Sequence, residues 1–258
     1  MTYLYFSCKR DETLLALSIA RLREIEPNAD IYVANDVNDR AAVPEHCIEV
    51  LTSFNRGGTG NGLEAIEGEL MTMQHILQRE CGDFVVKIDS DVWTNCTDRI
   101  QPRAGEIEAD FLGFESARML MPGCGVYRLS KWAVNYALEE TRRRWRWGEW
   151  NTEAIYSENL VIFKLVCLCK TLHAELVPYA AGELVGMHDE GHGICAVGAG
   201  EDEAALLQAL CFFAGYSVTT AYAVPHFQEH TGDAAHAGTC YTDKMNAHRI
   251  VPVQKPFA

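Results

Sequence analysis

Two aspartates one residue apart have the clearest chemical potential in the sequence. Asp89 and Asp91 follow a short apolar run at 84–88, which predicts a buried strand. Because side chains alternate along a strand, Lys87, Asp89 and Asp91 are expected on one face. Two carboxylates this close repel each other unless a cation lies between them, and hard oxygen ligands suit Mg²⁺ or Mn²⁺. Since substrate phosphates typically complete such sites, the pattern predicts a metal-bound phosphorylated ligand at the end of this strand.

Alternating strands and helices must position these aspartates. Four short apolar runs predict strands, at residues 3–7, 31–34, 47–51 and 84–88. Apolar residues at helical spacing follow Asp11 and Asn61, which are residue types that begin helices. This alternation predicts a mostly parallel sheet, whose ligands bind beyond the carboxyl ends of the strands. The polar residues expected at or just after those ends are Ser7, Asp36, Arg56 and Asp91.

The second half of the chain is expected to extend the same architecture. Strands are predicted at 109–114, 174–178 and 216–224, and helices at 131–146, 160–172 and 201–214. Residues 182–200 are rich in glycine and histidine, and they are expected to form a loop. The whole pattern predicts a Rossmann-like, three-layer α/β/α fold with a central, mostly parallel sheet.

Composition and charge restrict the class of partner. The 258 residues are 48% hydrophobic, and the formal net charge of −14 argues against nucleic acid or an anionic membrane as the main partner. None of the ten cysteines forms a Cys-x-x-Cys pair, so a zinc finger is not expected and the usage suits a reducing compartment. The chain shows no signal-peptide pattern and no apolar run of membrane-spanning length. We expect a soluble, cytoplasmic protein without an integral membrane segment.

Three segments together resemble the motifs of GT-A fold glycosyltransferases. The run Phe-Val-Val-Lys-Ile-Asp-Ser-Asp-Val-Trp-Thr-Asn at 84–95 is similar to their metal-binding centre, and is closest in wording to the β-1,3-galactosyltransferase and Fringe-like group. Further along, Gly-Cys-Gly-Val-Tyr-Arg-Leu-Ser at 123–130 resembles the group's acceptor-side segment, and Ser-Glu-Asn-Leu at 157–160 resembles its Glu-Asp-Val motif. The resemblance spans roughly residues 55–178. It implies a single domain over 1–258, with a nucleotide-sugar-binding half at 1–100 and an acceptor-side half at 101–258.

The resemblance also implies an activity and roles for residues. It implies metal-dependent transfer of a sugar, with inversion, from a nucleotide-diphosphate sugar such as a UDP-sugar to a hydroxyl acceptor on a glycan, lipid or protein. Asp91 would bind Mn²⁺ or Mg²⁺ directly, and Asp89 would bind the metal or the ribose. Lys87 would contact the nucleotide or its phosphates, and Asp36 would read the base or ribose. The glycine-rich loop at 57–62, which follows Arg56, would let the backbone approach the ligand.

Two roles stay open between alternatives. Asn159 stands where the family usually has an aspartate, so the base that accepts the acceptor's proton would be Glu158, or Asp202 in a second Glu-Asp segment at 201–202. A late histidine is commonly the third metal ligand in such enzymes. His188 is the preferred candidate here, and His226 is the other.

Functions of other classes are also compatible with parts of the pattern. A dehalogenase-type phosphatase also places Asp-x-Asp after an apolar strand, but Trp93 stands where that pattern has threonine or valine. A sugar nucleotidyltransferase would carry its glycine-rich loop after the first strand, whereas this loop follows the third. A GT-A-like domain that binds a nucleotide sugar without transferring it is the third alternative, and Asn159 favours it.

Overall fold

A seven-stranded sheet forms the centre of the fold. The computed structural model describes residues 1–54, 62–103, 107–116, 119–148, 158–178, 183–189 and 194–197. Its main sheet contains β1 (Thr2–Ser7), β2 (Asp30–Asp36), β3 (Ile48–Thr52), β4 (Phe84–Asp89), β6 (Phe111–Ser116), β7 (Met119–Ser130) and β8 (Ala174–Val177). The strand order is β3-β2-β1-β4-β7-β6-β8, and β7 alone runs antiparallel to its neighbours. The predicted mixed α/β fold with a mostly parallel sheet is confirmed.

Helices cover both faces of this sheet, because alternate strand residues are buried on opposite sides. The described helices are α1 (Glu12–Ile25), α2 (Gly62–Glu80), α3 (Lys131–Arg146) and α4 (Glu158–Leu168). Leu4 and Phe6 of β1 face the core formed with α2, α3 and α4, whereas Tyr3 and Tyr5 face the core formed with α1. Strands buried on both faces read as almost continuous apolar runs, which is why the early strands could be predicted from sequence.

A second, three-stranded sheet corrects one prediction. Within 183–197, β9 (Leu184–Asp189) and β10 (Ile194–Val197) form an antiparallel pair, so the prediction that 182–200 is a loop was wrong there. β9 also pairs with β5 (Val92–Thr94), which follows Asp91 directly. Glycine and histidine weaken the local strand signal in this segment. Its strands are specified by pairing with distant residues, which a local pattern does not reveal.

The end of α4 and the start of α1 differ from the prediction. The α4 helix ends at Leu168, before the predicted residue 172, where the amide of Cys169 donates to the carbonyl of Val166 and tightens the last turn. Asp11 stands before α1 but makes no side-chain capping bond, so its predicted capping role was wrong. By contrast, Ser130 caps α3 by accepting a hydrogen bond from the amide of Ala133 at 3.1 Å. None of the described helices is long and apolar enough to cross a membrane.

Candidate active site

The Asp-x-Asp pair lies at the carboxyl end of β4, in the middle of the main sheet. Asp89 is the last residue of β4 and lies opposite Phe6 of β1. Asp91 follows in a turn that leads into β5, rather than continuing the strand. Both side chains are buried, with 2% of Asp89 and 6% of Asp91 exposed. The sequence therefore places two carboxylates in a desolvated position at the sheet edge where α/β proteins bind ligands.

Lys87 lies inside the same region and is surrounded by carboxylates. Its ammonium group is fully buried, donates to Asp89 Oδ1 and donates to Glu158 Oε1 at 2.8 Å. Burial alone would lower the pKa of Lys87, but the charges of Asp89, Glu158 and Glu69 outweigh it and raise the pKa above its usual range. The ammonium also lies 5.4 Å from the ring centre of Tyr127. Lys87 therefore stays charged, and it links β4 to the first residue of α4.

Asp91 lies in an unfavourable electrostatic environment for a carboxylate. Burial, followed by the charges of Asp89 and Asp11, raises the pKa of Asp91 well above its usual range. Its Oδ1 atom is buried and has no hydrogen-bond partner among the described residues. Its backbone carbonyl, however, accepts a hydrogen bond from the amide of Met187 in β9 at 2.7 Å. The carboxylate is thus held in place by its backbone while one oxygen has no partner in the described part of the chain.

Gly125 of β7 leaves the space that Asp89 occupies. Its φ angle is +60°, in the left-handed region that favours glycine. A Cβ atom built on Gly125 would lie 1.9 Å from Asp89 Oδ2, far closer than atoms can approach. Asp89 therefore packs directly against backbone on one side and against Lys87 on the other. The glycine at this position of the acceptor-side motif is explained by that close approach.

Asp11 is a third carboxylate at this edge, and its role here was missed from sequence. It is 5% exposed, and its Oδ2 accepts hydrogen bonds from Ser90 Oγ at 3.3 Å and Cys8 Sγ at 3.7 Å. Because Asp11 directly precedes α1, the sequence suggested a capping role, and its place beside the Asp-x-Asp turn was not predicted. The parallel pairing of β1 with β4 brings the ends of both strands together and so places Asp11 beside the Asp-x-Asp turn.

Glu69 is the other acidic residue that the sequence interpretation passed over. It is 3% exposed on α2, and its charge contributes to the raised pKa of Lys87. A usable signal existed, since Glu69 follows Ile66 by three residues and precedes Met73 by four, on the apolar stripe of the helix. A charged residue on a buried stripe is a signal in itself, because burial of a charge is costly unless it is compensated.

The donor set fits a divalent cation only in part. Among the described residues, no group of three or more histidine, cysteine, aspartate or glutamate side chains is arranged to hold a metal ion. The two buried carboxylates of Asp89 and Asp91 are hard oxygen donors, and the Oδ1 atom of Asp91 has no partner there. These residues suit a cation whose other ligands come from elsewhere, such as phosphate oxygens or water.

His188 lies in β9, and its backbone lies near the backbone of Asp91. Gly186 pairs with Val92, so the antiparallel register places residue 188 beside the Ser90–Asp91 turn. The hydrogen bond from the Met187 amide to the Asp91 carbonyl fixes this approach. The side chain of His188 is outside the described part of the structure. The role of His188 as a metal ligand stays a prediction, as does that of His226, which lies outside the described residues.

The remaining predicted site residues are placed as follows. Ser7 is fully buried at the end of β1, and its hydroxyl donates weakly to the Cys8 carbonyl at 3.4 Å. Asp36 Oδ1 accepts from the amide of Asn38 at 2.8 Å, which stabilises a turn after β2. Arg56 and Asp202 lie outside the described residues. The ligand-binding and catalytic roles predicted for these four residues are untested by the structure.

Comparisons with known proteins give structural likeness only. No family model and no curated protein matches the chain. Among solved structures, it is similar to the glycosyltransferase GlyE of Streptococcus pneumoniae TIGR4, with 13% identity, 68% of this chain and 44% of that chain covered, and a TM-score of 0.44. It thus spans less than half of that protein's length.

Two further solved structures are similar at the same level. One is a glycosyltransferase involved in the glycosylation of the major capsid of PBCV-1, at 13% identity, with 69% of this chain and 81% of that chain covered and a TM-score of 0.42. The other is the galactosyltransferase LgtC in complex with donor and acceptor sugar analogs. The identity is 10%, with 69% of this chain and 73% of that chain covered and a TM-score of 0.44. Sequence identities and TM-scores this low assign no activity to the chain.

Proposed function

We propose that the chain is a metal-dependent glycosyltransferase. It would transfer a sugar from a nucleotide-diphosphate sugar, with a UDP-sugar favoured, to a hydroxyl acceptor. The observation that carries the proposal is the buried Asp89 and Asp91 pair at the carboxyl end of the central strand β4. The motif resemblance to GT-A enzymes, including the β-1,3-galactosyltransferase and Fringe-like group, supplies the reaction class and its inverting stereochemistry.

The residues at this edge have distinct proposed tasks. Asp91 would offer Mn²⁺ or Mg²⁺ an oxygen that has no hydrogen-bond partner among the described residues, and Asp89 would provide the second carboxylate beside it. His188 is proposed as a further ligand, which is supported by the backbone register that brings β9 to Asp91. When bound, the cation would neutralise the diphosphate as the bond to the sugar breaks. The buried setting strengthens each of these charge interactions because water is excluded.

Deprotonation of the acceptor hydroxyl requires a carboxylate base, and Glu158 and Asp202 remain the candidates. Glu158 begins α4 beside the site, but its Oε1 atom accepts a hydrogen bond from Lys87. A carboxylate paired with an ammonium group is a weaker proton acceptor than a free one. This contact favours a second candidate function, in which the protein binds a nucleotide sugar without transferring it. Formation of a glycosylated product distinguishes the two functions.

The first test compares wild type with Asp91→Asn in thermal unfolding, with Mn²⁺ and UDP-, GDP- and dTDP-sugars. A ligand present at about 100 times its Kd stabilises the native state by about 2.7 kcal/mol, which corresponds to about 5–10 °C for a chain of this size. We expect such a shift for wild type with one nucleotide and its loss in Asp91→Asn. We also expect product formation to fall by about 100-fold or more in that variant.

Asp83→Asn is the matched control for this test. Asp83 precedes the other end of β4, is exposed and pairs with Lys131 on the surface. It should leave the ligand-dependent shift at the wild-type value. Absence of a shift for wild type with every nucleotide sugar would reject the donor site. A shift that does not depend on Mn²⁺ or on Asp91 would reject the metal-dependent form of the proposal.

A further inference from the structure

We propose that Ser18 of α1 is a positioning residue for the candidate cation site, where it fixes the main chain directly after Asp91. The inference rests on the proposed function, because the task of Ser18 concerns the cation that Asp91 would bind. Ser18 is fully buried, carries no charge and belongs to none of the sequence motifs described above. It acts through the carbonyl of Val92, to which its Oγ atom donates a hydrogen bond.

The main chain at the exit of the Asp-x-Asp turn is held from two sides. The carbonyl of Asp91 accepts a hydrogen bond from the amide of Met187 in β9 at 2.7 Å. Successive carbonyls of an extended chain point in opposite directions, so the carbonyl of Val92 faces away from β9. Its partner there is the hydroxyl of Ser18 in α1. The chain after Asp91 is therefore fixed between β9 and α1.

The place of β5 in the second sheet explains why a helix side chain has this task. In the described part of the chain, β5 forms one end of the three-stranded sheet, with β9 as its neighbour. Val92 begins β5 and is 4% exposed, and a buried carbonyl without a partner is costly. Helix α1 packs against β5 and supplies a hydroxyl where a further strand would supply an amide.

Tyr5 of β1 determines the direction of this hydrogen bond. Its hydroxyl lies 3.2 Å from Ser18 Oγ, and both side chains are fully buried. A serine hydroxyl has one proton, and a carbonyl oxygen can only accept. The proton of Ser18 is therefore directed to Val92, and the hydroxyl of Tyr5 donates to Ser18. The resulting chain of hydrogen bonds connects β1, α1 and β5.

A shift of the Val92 carbonyl would be transmitted directly to Asp91, because a single planar peptide bond joins the two residues. Binding sites of this kind require their ligands to be held within about 0.5 Å of the productive geometry. Removal of the Ser18 hydroxyl changes no charge, so its effect on cation binding reports position alone. Removal of Asp11, which accepts from Ser90 at 3.3 Å in the same turn, would change charge and position together.

The test measures Mn²⁺ binding by the electron paramagnetic resonance signal of free Mn²⁺, with and without UDP and in the absence of acceptor. We expect Ser18→Ala to weaken Mn²⁺ binding by about 10-fold, which is the lower end of the loss typical when an outer support of a metal ligand is removed. Ser18→Cys should give a similar loss, because a thiol is close to a hydroxyl in size but is a weak donor. It decides the question if Ser18→Ala does not fold.

Two controls separate the Val92 contact from the packing of α1. Tyr5→Phe removes the hydroxyl on the other side of Ser18 and leaves Ser18 free to donate to Val92. It should lower the melting temperature by about 2–4 °C and leave Mn²⁺ affinity unchanged. Arg21→Met removes a second contact of α1 with this region, the hydrogen bond to Asn95 Oδ1 at 3.0 Å, just beyond β5. It should also bind Mn²⁺ as wild type does.

Each outcome supports or overturns a distinct claim. A loss of affinity in both Ser18 variants and in neither control supports the inference. If wild type binds Mn²⁺ and the Ser18 variants match it, the positioning inference is wrong while the proposed function stands. An equal loss in Tyr5→Phe or Arg21→Met would overturn it as well, because the effect would then come from the packing of α1. If wild type binds no Mn²⁺ even with UDP, the cation site of the proposed function fails and this inference fails with it.

Discussion

Two fully buried cations lie in neighbouring strands and have opposite surroundings. Lys87 of β4 lies opposite Tyr127 of β7, and the next pair in the register is Val86 with Arg128. Because side chains alternate along a strand, Lys87 faces the core of α2, α3 and α4, whereas Arg128 faces the core that contains α1. The same sheet therefore buries one cation on each side.

The partners of Arg128 indicate a structural role. Its guanidinium donates to the carbonyls of Ile100 and Ala109, at 2.9 and 3.5 Å, and forms an ion pair with Glu108. Its charged group also lies 4.6 Å from the ring centre of Phe84. One cation thus has one carboxylate and several neutral partners. These contacts fasten Ile100, Glu108 and Ala109 to the sheet.

The partners of Lys87 are of a different kind. Two carboxylates, from Asp89 and Glu158, accept hydrogen bonds from its ammonium group, and the charge of Glu69 also raises the pKa of Lys87. Lys87 thus has two carboxylates as hydrogen-bond partners, whereas Arg128 has one carboxylate and two carbonyls. The comparison teaches that the ratio of buried charges, more than burial itself, distinguishes the candidate site from a structural ion pair.

The largest effect that we expect on stability comes from the structural cation. Arg128→Met removes the partner of Glu108 and leaves two carbonyl groups without their donor, which should lower the free energy of unfolding by about 3–5 kcal/mol. The melting temperature should fall by roughly 6–20 °C. Below that temperature, Mn²⁺ affinity should be unchanged. Differential scanning calorimetry and a Mn²⁺ titration measure the two quantities.

The matched control for Arg128→Met is Arg142→Met. Arg142 is about two-fifths exposed in its ion pair with Glu67, so its loss should lower the free energy of unfolding by less than about 1 kcal/mol. The comparison between the two buried cations would fail if Arg128→Met weakened Mn²⁺ binding as strongly as Asp91→Asn. The two faces of the sheet would then be coupled.

Much of the fold followed from local sequence patterns, because burial imposes a regular spacing. Leu15, Ile19 and Leu22 lie on the buried side of α1 as their spacing predicted, and the predicted helix 131–146 matches α3. The β9 and β10 strands were not predicted, because β9 pairs with β5, which lies far away in the chain, and glycine weakens the local strand pattern.

The candidate site was predictable from sequence only where its residues belong to a recognisable motif. Asp89 and Asp91 form a local motif and were found, and Glu158 was named through the motif resemblance, whereas Asp11 and Glu69 come to this region through β1 pairing and helix packing. The tasks of Lys87 and Gly125 required coordinates, because a hydrogen bond and a backbone approach depend on distance. Neither distance is encoded in residue type or spacing.

An intermediate effect is expected at Gly125, where stability and site geometry should change together. Gly125→Ala introduces a Cβ at a left-handed φ and into the space of Asp89. The backbone strain should cost about 1–2 kcal/mol. The displaced Asp89 should weaken Mn²⁺ binding in the same titration.

Gly113→Ala is the control for Gly125→Ala, since it also inserts a methyl group on a neighbouring strand. Its Cβ would lie 2.8 Å from the ring of Phe111, away from Asp89. It should lower the melting temperature without changing Mn²⁺ affinity. If Gly125→Ala kept full Mn²⁺ affinity, the fixed placement of Asp89 between Gly125 and Lys87 would be refuted.

The smallest effect is expected at the other end of β7. Ser130→Ala removes the hydroxyl that accepts from the Ala133 amide and donates to Asp110, so α3 loses its cap. This should lower the free energy of unfolding by about 1 kcal/mol, and Ser130→Asp should retain most of the capping contribution. Chemical denaturation measures both variants. Mn²⁺ affinity should stay at the wild-type value, because Ser130 pairs with Phe84, at the start of the strand that Asp89 ends. A reduced affinity would mean that capping of α3 is transmitted along β7 to Gly125, and that the two ends of this strand do not act separately.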